Sequence, residues 1–129
     1  MESDALVVDD SAAIRKILQR VLRQTGMAIR TIHEAGDGQE ALDVLGGQKV
    51  DLVLSDINMP KMDGLQLLAS IKASAQWRQI PVVMITTEGG ESKVSEAVKL
   101  GAAGYVRKPF TADQIKEKLA GLLEPALPL

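Results

Sequence analysis

The chain has no cysteine among its 129 residues, which excludes disulfides and any metal centre built on thiolates. It holds one Trp, one Tyr and one Phe, too few aromatics to offer a stacking surface for bases. No run of basic residues is present to neutralise several phosphates, and the formal net charge is −2, so a nucleic-acid partner is not expected. Nor does any apolar run approach the roughly 20 residues that span a bilayer. The N-terminal "MESDALVV" lacks the basic stretch and long apolar core of a signal peptide. No internal repeat, linker or low-complexity segment interrupts the chain. These absences predict one cytoplasmic domain with no membrane partner, its core at about 4–124 and a short tail, "PALPL", at 125–129.

What is present is an alternation repeated five times. "ALVV" precedes "SAAIRKILQRVLRQTG", where Ile14, Ile17, Leu18, Val21 and Leu22 fall at helical spacing and Gly26 stands where a helix end favours glycine. "AIRTIHEA" leads to "GQEALDVLGG", "VDLVLSDI" to "GLQLLASIKASA", and "IPVVMIT" to "ESKVSEAVKLGA". "GYVRK" comes last, followed by "TADQIKEKLAGLL", which opens with the capping-box pair Thr111 and Gln114. Apart from Asp51, residues 50–54 and 81–85 are apolar without alternation, as suits strands buried on both faces of a helix-covered parallel sheet. The fold class is therefore α/β, a doubly wound parallel sheet.

Such sheets bind ligands beyond the carboxyl ends of their strands. Those ends carry Asp9 and Asp10, then Asp56, Thr86 and Lys108; the end of the second run, near His33 and Glu34, is less distinctive. Three carboxylates at one edge repel. Two unit charges ~5 Å apart at an effective dielectric near 20 cost about 3 kcal/mol per pair. A divalent cation relieves that cost, and an all-oxygen donor set without His or Cys favours Mg²⁺. A carboxylate beside the metal can serve as nucleophile toward phosphorus, with the Thr86 hydroxyl and the Lys108 ammonium at the phosphoryl oxygens. Composition and spacing stop there, at a Mg²⁺-binding α/β protein suited to phosphoryl transfer.

"VVDDS", "DINMPKMDG", "MITTE" and "GAAGYVRKPF" stand in the order and spacing of bacterial response-regulator receiver domains. The chain resembles that family over essentially its whole length, and most of all its stand-alone chemotaxis-type members. The resemblance implies a flavodoxin-like (βα)5 three-layer sandwich with strand order 2-1-3-4-5, for which the chemotaxis member of the family is itself a standard example. It implies a phosphorylation-activated switch, not an enzyme with a separate substrate. Asp56 would accept a phosphoryl group from a histidine kinase or phosphotransfer protein. Asp10 would bind Mg²⁺ directly, Asp9 through water, and Asn58 through its backbone carbonyl. Thr86 and Lys108 would hold the phosphoryl group, Thr86 and Tyr105 would form the switch, and Lys108–Pro109 would be a cis bond. Asn58 and Glu88 would tune phosphoryl lifetime, here toward seconds to minutes. The fourth helix, fifth strand and fifth helix would meet the target, presenting Lys93, Lys99, Tyr105, Arg107 and Lys118 among Glu91, Glu96 and Glu117.

Plainer readings suit other residues. Asp9 and Asp10 exceed what a helix cap needs, since Ser11 is available. Asp63, before Gly64 and a helical pattern, reads as a cap, and Asp51 as a solvated residue opening a strand. His33 reads as surface; Trp77, Phe110, Met59 and Met62 read as packing residues. A haloacid-dehalogenase-type phosphatase would want an acid where Asn58 stands. An FMN binder would want a hydroxyl- and Gly-rich loop where "DDSAA" stands, and a scaffold receiver would have lost some of these acids. "EGGES", at 88–92, departs from the basic loop of motor-binding receivers and leaves the downstream target open.

Overall fold

A computed structural model describes residues 3–86, 91–120 and 122. Strands and helices alternate: β1 (Ser3–Val8), α1 (Ala12–Gln24), β2 (Ile29–Ala35), α2 (Gly38–Gly47), β3 (Leu52–Asp56), α3 (Gly64–Ala73), β4 (Val82–Thr86), α4 (Glu91–Leu100), β5 (Gly104–Arg107) and α5 (Ala112–Leu119). The five strands are parallel, in the order β2-β1-β3-β4-β5. The doubly wound sheet and its order are as expected. Two helices end sooner than the apolar pattern predicts, α3 with its C-cap at Ser74 and α5 with its C-cap at Ala120.

The two-residue period of a strand divides the core into two layers. Leu6, Val8, Val53 and Met84 face Ala41 and Leu45 of α2, Leu67, Leu68 and Ile71 of α3, and Ala97 of α4. Ala5, Val7, Leu52, Leu54, Val83, Ile85 and Val106 face Leu18, Val21 and Leu22 of α1, with Ile115 and Leu119 of α5. Because helices cover both faces, β1, β3 and β4 can carry unbroken apolar runs, Ala5–Val8, Leu52–Leu54 and Val82–Ile85. Strand β2 lies at the sheet edge and has exposed residues, which is why its pattern is weaker in the sequence. His33 lies on β2 opposite Leu6 and is half-buried, less solvated than its surroundings in the sequence suggest. Trp77, Met59 and Met62 pack on the first layer and Phe110 on the second, as packing residues should.

Local signals set the helix ends. The Ser11 side chain caps α1 by accepting from the Ile14 N–H. Thr25 closes that helix, and Gly26 follows at φ +75°, a conformation that glycine adopts without steric cost. Asp63 caps α3 in a full capping box with Gln66, and Thr111 does the same for α5 with Gln114. Asp63 is thus a structural residue.

Gly64 has a different reason to be glycine. A Cβ there would lie 2.1 Å from the Asp56 carbonyl oxygen, so the start of α3 can press against the end of β3 only without a side chain. Its N–H donates to the Ile57 carbonyl at 2.8 Å. The loop after Asp56 is thereby folded tightly back on its own strand.

Candidate functional site

Strands β1, β3, β4 and β5 are neighbours or near neighbours in the sheet, and all end on the same edge. Register places Asp56 beside Ile85, the residue before Thr86, and Thr86 beside Arg107, the residue before Lys108. The Lys108 N–H donates to the Thr86 carbonyl at 2.7 Å, extending the β4–β5 ladder by one residue. The Lys108–Pro109 peptide bond is cis.

Asp9, Asp10 and Asp56 converge there. Each offers a carboxylate oxygen, and these oxygens lie within 4.8 Å of one another. Asp9 and Asp56 are buried and Asp10 is exposed. Each oxygen of Asp9 has a partner: Oδ1 accepts from the Ser11 N–H at 2.9 Å, and Oδ2 accepts from Lys108 Nζ at 2.8 Å. Its backbone is held too, since the Arg15 guanidinium donates to the Asp9 carbonyl at 2.7 Å while pairing with Glu34 at 3.0 Å. Lys108 Nζ stands 3.6 Å from Asp56 Oδ2, so one ammonium serves two carboxylates. Asp56 Oδ1 accepts from the Ile57 N–H at 2.8 Å.

Burial pushes the Asp56 carboxyl above the ordinary carboxylate range. Lys108 opposes that rise, the Asp9 charge adds to it, and hydrogen bonds from the Ile57 and Asn58 backbone N–H groups draw it back. The donor set is oxygen-only, crowded and poor in cations, which fits a small hard divalent ion such as Mg²⁺. Three carboxylates with one lysine also leave charge for such an ion to neutralise.

Thr86 is buried at the end of β4. Tyr105 on β5 is 38% exposed, with the Lys118 ammonium 5.7 Å from its ring centre, in cation–π range. Asn58 is exposed on the loop after β3, and its side-chain oxygen accepts from Lys93 Nζ at 2.9 Å. Glu88 and the Gly89–Gly90 pair lie outside the described residues. Arg15 is the positioning residue that the sequence reading passed over. Its only sequence signal is an arginine one turn into the helix that follows the acidic pair.

A family model for the response regulator receiver domain matches residues 5–120. The chain belongs to that family. A chemotaxis protein CheY homologue from Campylobacter jejuni subsp. jejuni is 40% identical over 119 residues, covering 92% of this chain and 90% of that protein. The chemotaxis response regulator CheY4 of Vibrio cholerae superposes with a TM-score of 0.84 at 31% identity, covering 95% of this chain and 100% of that one. The bacteriophytochrome response regulator AtBRR also reaches 0.84, at 30% identity, with 99% and 98% covered. This receiver domain is of the CheY type, and the family acts as phosphorylation-dependent signalling switches, not as classical enzymes. Similarity to both chemotaxis and phytochrome-linked regulators is consistent with a target that the sequence leaves open.

Proposed function

We propose that the chain is a single receiver domain that takes a phosphoryl group onto Asp56 from a phosphohistidine of a partner histidine kinase or phosphotransfer protein. The observation that carries this reading is the meeting of Asp9, Asp10, Asp56 and Lys108 at one sheet edge, with oxygens within 4.8 Å among the acids. An Asp56 oxygen attacks phosphorus, the phosphorus–nitrogen bond breaks, and the imidazole leaves with the electron pair and takes up a proton. In this reading Lys108, 3.6 Å from Asp56, pairs with a phosphoryl oxygen, and the Thr86 hydroxyl donates to another. Bound Mg²⁺ would neutralise charge on the acids and on the phosphoryl oxygens. Asp10, being exposed, is the direct ligand in this reading, together with Asp56 and the Asn58 backbone carbonyl. Both oxygens of Asp9 are engaged with Ser11 and Lys108, which suits a role through water.

In this reading Thr86 is drawn toward the phosphoryl group and Tyr105, 38% exposed here, turns inward in response. The change is read on α4, β5 and α5, where a downstream protein docks. The protein works in the cytoplasm, contributes to its own phosphorylation and dephosphorylation, and keeps the phosphoryl group for seconds to minutes. The test is incubation with Mg²⁺ and a small acyl-phosphate donor, comparing the wild type with Asp56→Asn. Label on the wild type alone is expected. Equal label on Asp56→Asn refutes the assignment, and label on neither favours a scaffold role.

A further inference from the structure

Lys93 belongs, by its place on α4, to the surface expected to meet the target, yet its ammonium turns the other way. It crosses from the first turn of α4 to the loop after β3 and donates to Asn58 Oδ1 at 2.9 Å. A lysine ammonium has donors and no acceptor, so the atom facing it must be the amide oxygen, and the orientation of the Asn58 amide is thereby set. The first turn of a helix is also an unfavourable place for a cation, because the helix dipole is positive there. A carbonyl oxygen from a neighbouring loop offsets that cost. Asn58 itself stands two residues after Asp56, directly beyond Ile57, whose N–H donates to Asp56 Oδ1 at 2.8 Å.

We propose that Lys93 is a positioning residue that lengthens the life of the Asp56 phosphoryl group by occupying the side-chain oxygen of Asn58. The inference rests on Asp56 being the phosphoacceptor. Loss of the phosphoryl group requires water to attack phosphorus, the bond from phosphorus to the Asp56 oxygen to break, and the water's proton to pass to the released phosphate. Two residues beyond the acceptor, an amide oxygen is suited to accept a hydrogen from that water and aim its lone pair. With Lys93 bound, the oxygen is polarised by a charge and one of its acceptor directions is filled. Its remaining polar group, the NH₂, is a donor and cannot orient water for attack. Lys93 touches neither phosphorus nor water and acts through Asn58.

A double-mutant cycle reads the coupling between Lys93 and Asn58. The protein is labelled with an acyl phosphate and Mg²⁺, the donor is removed, and loss of label is followed in wild type, Lys93→Met, Asn58→Ala and the double variant. Lys93→Met should shorten the lifetime by about three- to tenfold, the scale of losing one charge-assisted hydrogen bond at a solvated site. In the Asn58→Ala background the same substitution should have no effect. Lys93→Arg, which keeps a cationic donor, should retain most of the wild-type lifetime. Both side chains are exposed, so thermal midpoints should stay together and rule out a folding effect. An unchanged lifetime in Lys93→Met, or an equal shortening with and without Asn58, overturns the proposal while leaving Asp56 in place. Absence of label on the wild type overturns the Asp56 assignment, and this inference with it.

Discussion

Two buried aspartates, Asp4 and Asp9, bracket the interior of β1, and the two edges of the sheet treat them in opposite ways. At the amino edge, Asp4 takes paired hydrogen bonds from the Arg30 guanidinium, at 3.1 and 2.6 Å, with Lys49 3.8 Å away. Its backbone N–H donates to Asp51, which pairs with Lys49 in turn. Two cations face two acids. Hydrogen bonding from Arg30 holds the Asp4 carboxyl below the ordinary range against the opposing effect of burial, with the Arg30 and Lys49 charges and the Thr31 N–H adding to the lowering. At the carboxyl edge, three acids meet, Lys108 reaches only Asp9 and Asp56 of them, and Asp56 is pushed up. One edge is electrostatically satisfied; the other is left with unbalanced negative charge. The difference separates a site that stabilises the fold from one that spends stability on binding.

Substitution should therefore act with opposite sign at the two edges. Asp4→Asn removes a buried, charge-assisted pair and should destabilise the fold by about 2 kcal/mol, read from urea midpoints at neutral pH. Phosphorylation should be unaffected. The acid limb adds a check. Because the folded pKa of Asp4 is depressed, its contribution is complete above the unfolded value, about 3.9, and is lost as pH falls through the lower folded value. The wild type should lose this contribution below pH ~4, and Asp4→Asn should lose less over the same window. Equal acid sensitivity in the two proteins would break the contrast.

Asp56→Asn should go the other way, stabilising the metal-free protein by about 1 kcal/mol, since it removes a poorly solvated charge next to Asp9. The sign with pH is also reversed. Asp56 is raised, so its ionised form costs stability above the folded pKa, and that cost fades as pH falls through it. A small gain in wild-type stability on acidification, ahead of the loss at Asp4, is expected and should vanish in Asp56→Asn. Mg²⁺ at ten times its dissociation constant should stabilise the wild type by about 1.4 kcal/mol by mass action. It should stabilise Asp56→Asn and Asp10→Asn less. An Asp56→Asn protein less stable than wild type without Mg²⁺ would sink the comparison.

The two edges also differ in how far the sequence discloses them. The carboxyl edge is legible because its residues are anomalies: Asp9, Asp10 and Asp56 follow apolar runs where solvated charge has no local reason to be. Asp4 gives no such signal. It opens a strand, where an acid is ordinarily solvated, and its partner Arg30 is brought beside it by a β1–β2 register that shifts between Ser3 and Ala5. Asp51 reads as solvated for the same reason, although its carboxylate binds the Asp4 backbone. The strands β1, β3 and β4 are legible because burial on both faces gives each an unbroken apolar run, Ala5–Val8, Leu52–Leu54 and Val82–Ile85. The hydrogen bond from Lys93 to Asn58 is not, because it joins two exposed polar residues 35 positions apart whose meeting depends on how α4 seats against its neighbours.

The backbone carries the smallest version of the same contrast. At the amino edge the turn from α1 to β2 needs a positive φ and uses Gly26, at +75°, with no heavy atom within 4 Å of where a Cβ would go. The turn from α4 to β5 does likewise with Gly101 at +102°. At the carboxyl edge, the loop after Asp56 places a lysine, Lys61, at φ +64°. A side chain in that region costs roughly 1–2 kcal/mol, of which glycine's greater freedom in the unfolded chain returns part. Lys61→Gly should therefore stabilise the protein by about 0.5 kcal/mol, and Gly26→Ala should destabilise it by about 1 kcal/mol. The ion pair of Lys61 with Asp37, at 4.0 Å with the lysine side chain 76% exposed, is too solvated to reverse the sign. If Lys61→Gly proved destabilising, the strain would have to be repaid by contacts of the lysine side chain. The carboxyl edge would then be costly in its charges but not in its backbone.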